Sequence, residues 1–180
     1  VQSKGMSSAM FASEAPLETV VGNTTNTWGE ISVDFDDLTK VKGEVDVDIA
    51  SLRTGIDLRD EHLRSERWLH VEKFPTARFL LERFEPHAKG KVQTKQKVRG
   101  TAYGKLSMKG ITRPIEIPVT ARFFEWTPDL KEVYINGDVL RLESVFDIKL
   151  SDYGIDAGKL LGRKVSNLLT LTLKLTALTE

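Results

Sequence analysis

VKGEVDVDI, residues 41–49, alternates between two kinds of side chain. Val41, Val45, Val47 and Ile49 share one parity, with Gly43 among them, and Lys42, Glu44, Asp46 and Asp48 share the other. Side chains of a strand point to opposite faces in turn, so the pattern predicts a strand with one buried face. Just upstream, Gly29, Ile31, Val33 and Phe35 alternate with Glu30, Ser32 and Asp34, and Asp36-Asp37-Leu38-Thr39 is a loop that joins the two as a hairpin.

The same alternation recurs downstream. It covers Val98–Met108, Ile115–Phe123, Leu140–Leu150 and Leu169–Ala177, with a turn at Lys109-Gly110. Strands around Gly5–Ser13 and Thr76–Phe84 bring the count to about eight. Pro118 lies on the polar parity of its strand and predicts an edge or bulge there. Asn136-Gly137 is a further turn signal, Val133–Ile135 is undecided, and Gly154–Arg163 reads as a loop or one short helix. With no internal repeat or linker, residues 1–180 read as one domain. Antiparallel strands that each carry a continuous apolar face call for closure, because a barrel removes the edges that a sandwich leaves exposed. The expected fold is therefore all-β: a closed antiparallel barrel with one short helix across an end.

Composition narrows the chemistry. Apolar residues make up 40% and charged residues 29% of the 180, an ordinary globular balance. A net charge of zero gives no basic footprint for nucleic acid. The absence of cysteine removes disulfides, thiol catalysis and cysteine-ligated zinc. No apolar run reaches the length of a membrane span. The chain opens on Val1 with no visible signal peptide; loss of an upstream export signal is one expectation compatible with that start.

One segment breaks the alternation: SLRTGIDLRDEHLRSERWLHVEKFPTARF, residues 51–79. Asp57 is a good N-cap, Asp60 completes a capping-box-like pair, and Asp60 stands four residues before Arg64 in the favourable order. Pro75 stops any continuation, so the segment predicts a helix from Leu58 to about Leu69, its narrow apolar stripe laid across an open barrel end. The spacing of His62 and His70 does not suit two ligands on one helical turn, and His87 stands apart, so no metal site is expected. Ser65 lacks the glycines of a nucleophile elbow. Neither Gly100–Gly104 nor Gly158–Gly162 has the pattern of a phosphate loop, and the basic run from Lys89 to Arg99 reads as a solvated face.

The apolar faces carry almost no group able to do chemistry. They do carry Gly29, Gly43, Gly100, Ala102, Gly104 and Ala121. An eight-stranded barrel is wide enough to be filled by side chains or to hold one ligand. Small residues leave space for a hydrocarbon chain, or facing large residues fill it; the sequence does not choose.

Three pieces of the chain resemble the YceI-like family of lipid-binding proteins. They are Leu52-Arg53-Thr54-Gly55-Ile56 followed by Arg59–Ser65 and Glu72-Lys73-Phe74-Pro75; Gly104–Pro114; and Asp152-Tyr153-Gly154-Ile155. Met6–Gly22 departs from the family's usual opening. The resemblance implies a lipocalin-like barrel, a periplasmic or secreted bacterial protein, and interior binding of polyisoprenoids, fatty acids or their amides. It also implies that Arg59–Ser65 shapes the rim and catalyses nothing.

The expected function is non-enzymatic carriage or storage of a long-chain apolar ligand such as an isoprenoid quinone, with no cofactor beyond that lipid. Strand parity selects Val45, Val47, Ile49, Phe79, Leu106, Ile117, Val119, Phe123, Phe146, Ile148, Leu171 and Leu173 as its lining. Two alternatives stand beside this: a packed barrel acting as an interaction or stress-response module, and a rim enzyme using His62 with Asp60 or Glu61. A homodimer is compatible with an edge at Pro118 or with the divergent N-terminal part.

Overall fold

In the computed structural model, which describes residues 6–88, 93–156, 158 and 163–179, the alternating stretch at 41–49 forms a strand, Lys42–Asp48 (β4). The others are Ser8–Glu14 (β1), Thr19–Thr24 (β2), Thr27–Ser32 (β3), Thr76–Pro86 (β5), Lys97–Met108 (β6), Ile111–Phe124 (β7), Val139–Lys149 (β8) and Leu168–Leu178 (β9). Asp57–Arg64 is an α-helix (α1). Gly5, the run from Lys89 to Lys91 and most of Gly158–Gly162 lie outside the described residues.

All nine strands form one antiparallel sheet in the order β2-β1-β9-β8-β7-β6-β5-β4-β3. The sequence predicted about eight strands; β2, with only Val20, Gly22 and Thr24 on its inward parity and Pro16 just before it, carries too weak a pattern to be read.

The strands at the two edges, β2 and β3, are consecutive in the chain, separated by Thr25 and Asn26 alone. That link spans at most about 11 Å, whereas the edges of a flat sheet of this width would stand about 38 Å apart. The sheet must therefore curl until its edges meet at this corner. The corner is held by Asn23 and Arg53, which exchange backbone hydrogen bonds of 2.9 and 3.0 Å, and by the Asp48 N–H, which donates to the Asn26 carbonyl at 3.0 Å. No ladder joins β2 to β3 among the described residues, so the expected closed barrel appears as a curled sheet whose edges converge without zipping. The reason is that β2 and β3 rise along the same direction: β2 pairs with β1 and β3 with β4, one above the other along the seam.

A second irregularity sits at Pro118. The β6–β7 hairpin closes on Met108 and Ile111 around Lys109 (φ 51°) and Gly110 (φ 76°), the left-handed pair of a type I′ turn. Ladder pairs bond at every second residue, so the odd-numbered residues of β7 bond β6 and the even-numbered ones face β8. Pro114 and Pro118 are both even and present no N–H to β8. Accordingly the β7–β8 register covers only Thr120–Phe124 against Glu143–Val139, and the Pro118 carbonyl accepts instead from the Ser144 hydroxyl at 2.6 Å. The predicted irregularity is thus an unzipped edge, on the β8 side only. Leu150–Tyr153, a 3-10 turn, and Ile155 plug the gap: Leu150, Tyr153 and Ile155 are 4%, 2% and 1% exposed. Burial pushes the Tyr153 phenol up from its ordinary pKa of 10.0. Arg113 Nε ties the plug to β7 by donating to the Asp152 carbonyl at 3.1 Å.

Of the small inward residues, Gly29, Gly43, Ala102 and Ala121 line open volume, whereas Gly100 and Gly104 are covered by rings of the protein itself. The Phe84 ring lies on Gly100 and the Phe79 ring on Gly104; a methyl group added at either glycine would come within 2.7 or 2.8 Å of ring carbon. Backbone carbonyls of β5 also crowd both positions. Gly104→Ala is expected to lower the unfolding free energy by about 2 kcal/mol, an overpacking penalty read by urea denaturation.

Candidate functional site

The concave side of the sheet surrounds two apolar cavities, of about 530 Å³ and about 480 Å³. The larger, or upper, chamber lies toward the β3–β4 hairpin and the smaller, or lower, chamber toward α1. All twelve residues selected by parity face these chambers. Val47, Ile49, Leu106, Phe146, Ile148 and Leu171 line the lower one only. Val119 and Phe123 line the upper one only. Val45, Phe79, Ile117 and Leu173 line both.

Other lining residues escaped the sequence. Leu140, Leu142 and Leu175 border the upper chamber, and their parity was legible though they were not selected. Phe84 was hidden by the register shift between Leu81 and Arg83, which carries the inward face of β5 from odd to even numbers. Val20 sits on the unread β2, and Leu63, Trp68 and Leu69 reach the lower chamber from the α1 segment.

The ends differ in charge. The charged residues along the upper chamber are Glu30, Glu44, Asp138 and Glu143, all acidic. Those along the lower chamber are Glu18, Arg59 and Lys164, with His62 beside them.

The α1 segment seats on the lower end through its charged side chains. Arg59 donates to Glu18 Oε1 at 2.8 Å, to Thr54 Oγ1 at 2.9 Å and to the Thr54 carbonyl at 3.1 Å. Arg64 donates to the Ala50 carbonyl at 2.8 Å and the Leu52 carbonyl at 3.2 Å. Each cation thus satisfies backbone oxygens of the link between β4 and the helix. The helix is shorter than predicted: Ser65 takes extended dihedrals and its hydroxyl donates to the His62 carbonyl at 2.6 Å, ending the helix at Arg64.

Ile56, not Asp57, holds the N-cap position, with no side-chain cap bond. Asp60 does not pair with Arg64 side by side; it turns inward, 2% exposed, and accepts from the Thr54 N–H at 2.8 Å and Thr54 Oγ1 at 2.6 Å. Burial acts to raise the Asp60 pKa, but the Thr54 hydrogen bonds and the Arg64 and Arg53 charges outweigh it and hold the carboxyl below its ordinary 3.8. No hydrogen bond links the His62 ring to Asp60 or Glu61, and no group of three or more metal-ligating side chains occurs among the described residues. Among those residues, too, no helix is long and apolar enough to cross a membrane.

A profile of the YceI-like domain matches residues 3–177. The chain belongs to the YceI-like family. YceI-like relatives in sequence include a UPF0312 protein of Shewanella denitrificans, 31% identical over 98 residues that make up 54% of this chain and 47% of the relative. Another, from Serratia proteamaculans, is 32% identical over 130 residues, 71% of this chain and 58% of the relative. The chain spans about half the length of the curated relatives it matches. Solved structures share the YceI-like fold at low identity. BcnA of Burkholderia cenocepacia superposes with a TM-score of 0.76 at 18% identity, covering 95% of this chain and 96% of that one. A polyisoprenoid binding domain from Saccharophagus degradans, implicated in plant cell wall breakdown, gives 0.76 at 15% identity over 99% and 97%. The Campylobacter jejuni YCEI protein gives 0.73 at 19% over 93% and 89%.

Asp60→Ala leaves the buried Thr54 donors unpaired and is expected to cost about 2 kcal/mol in urea unfolding. Because the folded pKa lies below the ordinary value, the carboxylate stabilises the protein above that value, and the contribution fades as pH falls through the lowered one. Unfolding measured from neutral pH down to about 2.5 should show Asp60→Asn with a flatter acid-side slope than wild type.

Proposed function

We propose that this protein binds one long-chain apolar molecule in its interior and carries or stores it without chemical change. The ligand class is a polyisoprenoid, an isoprenoid quinone, or a fatty acid or its amide. The observation that carries this reading is the predominantly apolar lining that runs through both chambers, from Phe123 at one end to Ile148 at the other. Each methylene that a guest buries there contributes about 0.8 kcal/mol, so a chain burying about eight of them gains about 6 kcal/mol without any polar anchor. A packed module without a ligand would need its own side chains in that volume, and the chambers weigh against it.

The polyisoprenoid binding named for the Saccharophagus degradans domain supports the ligand class by likeness of fold. We read the sheet as a barrel of eight walls, β2 and β3 sharing one. An anionic head group is favoured at the lower end by Lys164, Arg59 being held by Glu18, and opposed by the acids at the upper. The periplasm, or the outside of a bacterial cell, is the proposed site of action.

The test is lipid uptake by protein stripped with organic solvent, using geranylgeraniol and palmitate as probes in native mass spectrometry and in displacement of a fluorescent fatty acid. Wild type should take up at least one probe. Ala121→Trp, which fills part of the upper chamber, should weaken binding about tenfold, the cost of roughly two buried methylenes, without lowering the thermal midpoint. A wild-type protein that holds no extractable lipid and takes up neither probe would end the reading.

A further inference from the structure

The two chambers meet at four residues, Val45, Phe79, Ile117 and Leu173. They come from β4, β5, β7 and β9, so they stand on different walls of the interior, where the two chambers adjoin. Phe79 is the largest and the most constrained. In register it lies between Val45 on β4 and Leu106 on β6. Its ring rests on Gly104, where even a methyl would meet it at 2.8 Å, so the β6 wall backs it directly. The same ring packs against both apolar clusters of the protein, one built around Ile148 and Leu106 and the other around Phe84 and Ala102. One level above, Leu81 borders the upper chamber alone; one level below, Ala77 borders the lower alone.

We propose that these four residues form a waist, with the Phe79 ring setting its cross-section, through which a single extended hydrocarbon chain threads to occupy both chambers. The waist selects long, slender chains over compact polycyclic lipids and over two short chains bound separately. This rests on the interior binding an apolar chain, as proposed above. With the ring backed by Gly104, Phe79 itself withdraws outward only if β5 moves away from β6, along one of the longest ladders of the sheet. The opposite walls contribute only the branched side chains of Ile117 and Leu173.

Saturated fatty acids from octanoate to docosanoate test this on delipidated protein, by displacement titration and by stoichiometry in native mass spectrometry. Wild type should bind one chain, tightening about fourfold per methylene up to lengths that outgrow one chamber. Two variants narrow the waist from opposite sides, Phe79→Trp and Leu173→Phe, so the outcome does not hinge on one of them folding. Each should hold short chains as wild type does and stop tightening at the length that fills a single chamber. Phe79→Ala should admit cholesterol, which wild type excludes. Two short chains per wild-type molecule, or narrowed variants that keep the full length dependence, would overturn the waist while leaving lipid binding intact. Failure of wild type to bind any chain overturns the ligand reading itself, and the waist with it.

Discussion

Thr25 and Asn26 join strands that occupy opposite edges of a nine-stranded sheet. So short a link leaves the sheet no freedom to lie flat, and the interior follows from the curl. Once the edges meet, the apolar parity of every strand turns to one concave side. The corner is anchored where the chain leaves β4, through Asn23, Arg53, Asn26 and Asp48, so the same contacts that draw the edges together also fix the start of the segment leading into α1. That segment is the knot of Arg, Asp and Glu that interrupts the alternation. Its charges go to backbone oxygens and to Thr54, and the result is a lid frame at the lower end of the cavity.

The interior is apolar without being filled, and aromatic rings decide its shape more than glycines do. Phe79 and Phe84 project from β5 onto the flat places that Gly104 and Gly100 make in β6. The glycines are thus consumed by close packing within one wall, and the free volume lies inside the rings. Ring and glycine fit as a pair: a side chain at either glycine would push its ring inward and close the chamber beside it.

Parity made the inward faces of β4, β6, β7 and β9 legible, because each shows unbroken alternation over seven residues or more, and that of β8 legible on either side of Ser144 and Val145, where its alternation breaks. It failed where the physics is not periodic. The shift between Leu81 and Arg83 reverses the inward face of β5 in mid-strand and hid Phe84. β2 is short, with glycine at one of its inward positions, and left no pattern to read. Asp60 looked like a surface helix charge because sequence spacing shows which residues share a helical turn, and not whether that turn faces a buried threonine. The shared apolar lining was within reach of sequence; the division into two chambers depends on where one ring stops, which no pattern encodes.

The two prolines of β7 have a mechanical consequence. From Pro118 downward the β7–β8 boundary is held by side-chain packing and by the Leu150–Ile155 plug in place of a backbone ladder. Between strands that are laddered along their length, widening the sheet would mean breaking a row of backbone hydrogen bonds at once. Along this line it requires that the side-chain hydrogen bonds of Ser144 and Arg113 give and that apolar side chains slide. The wall therefore has an expansion joint, and it runs beside the chamber nearer α1.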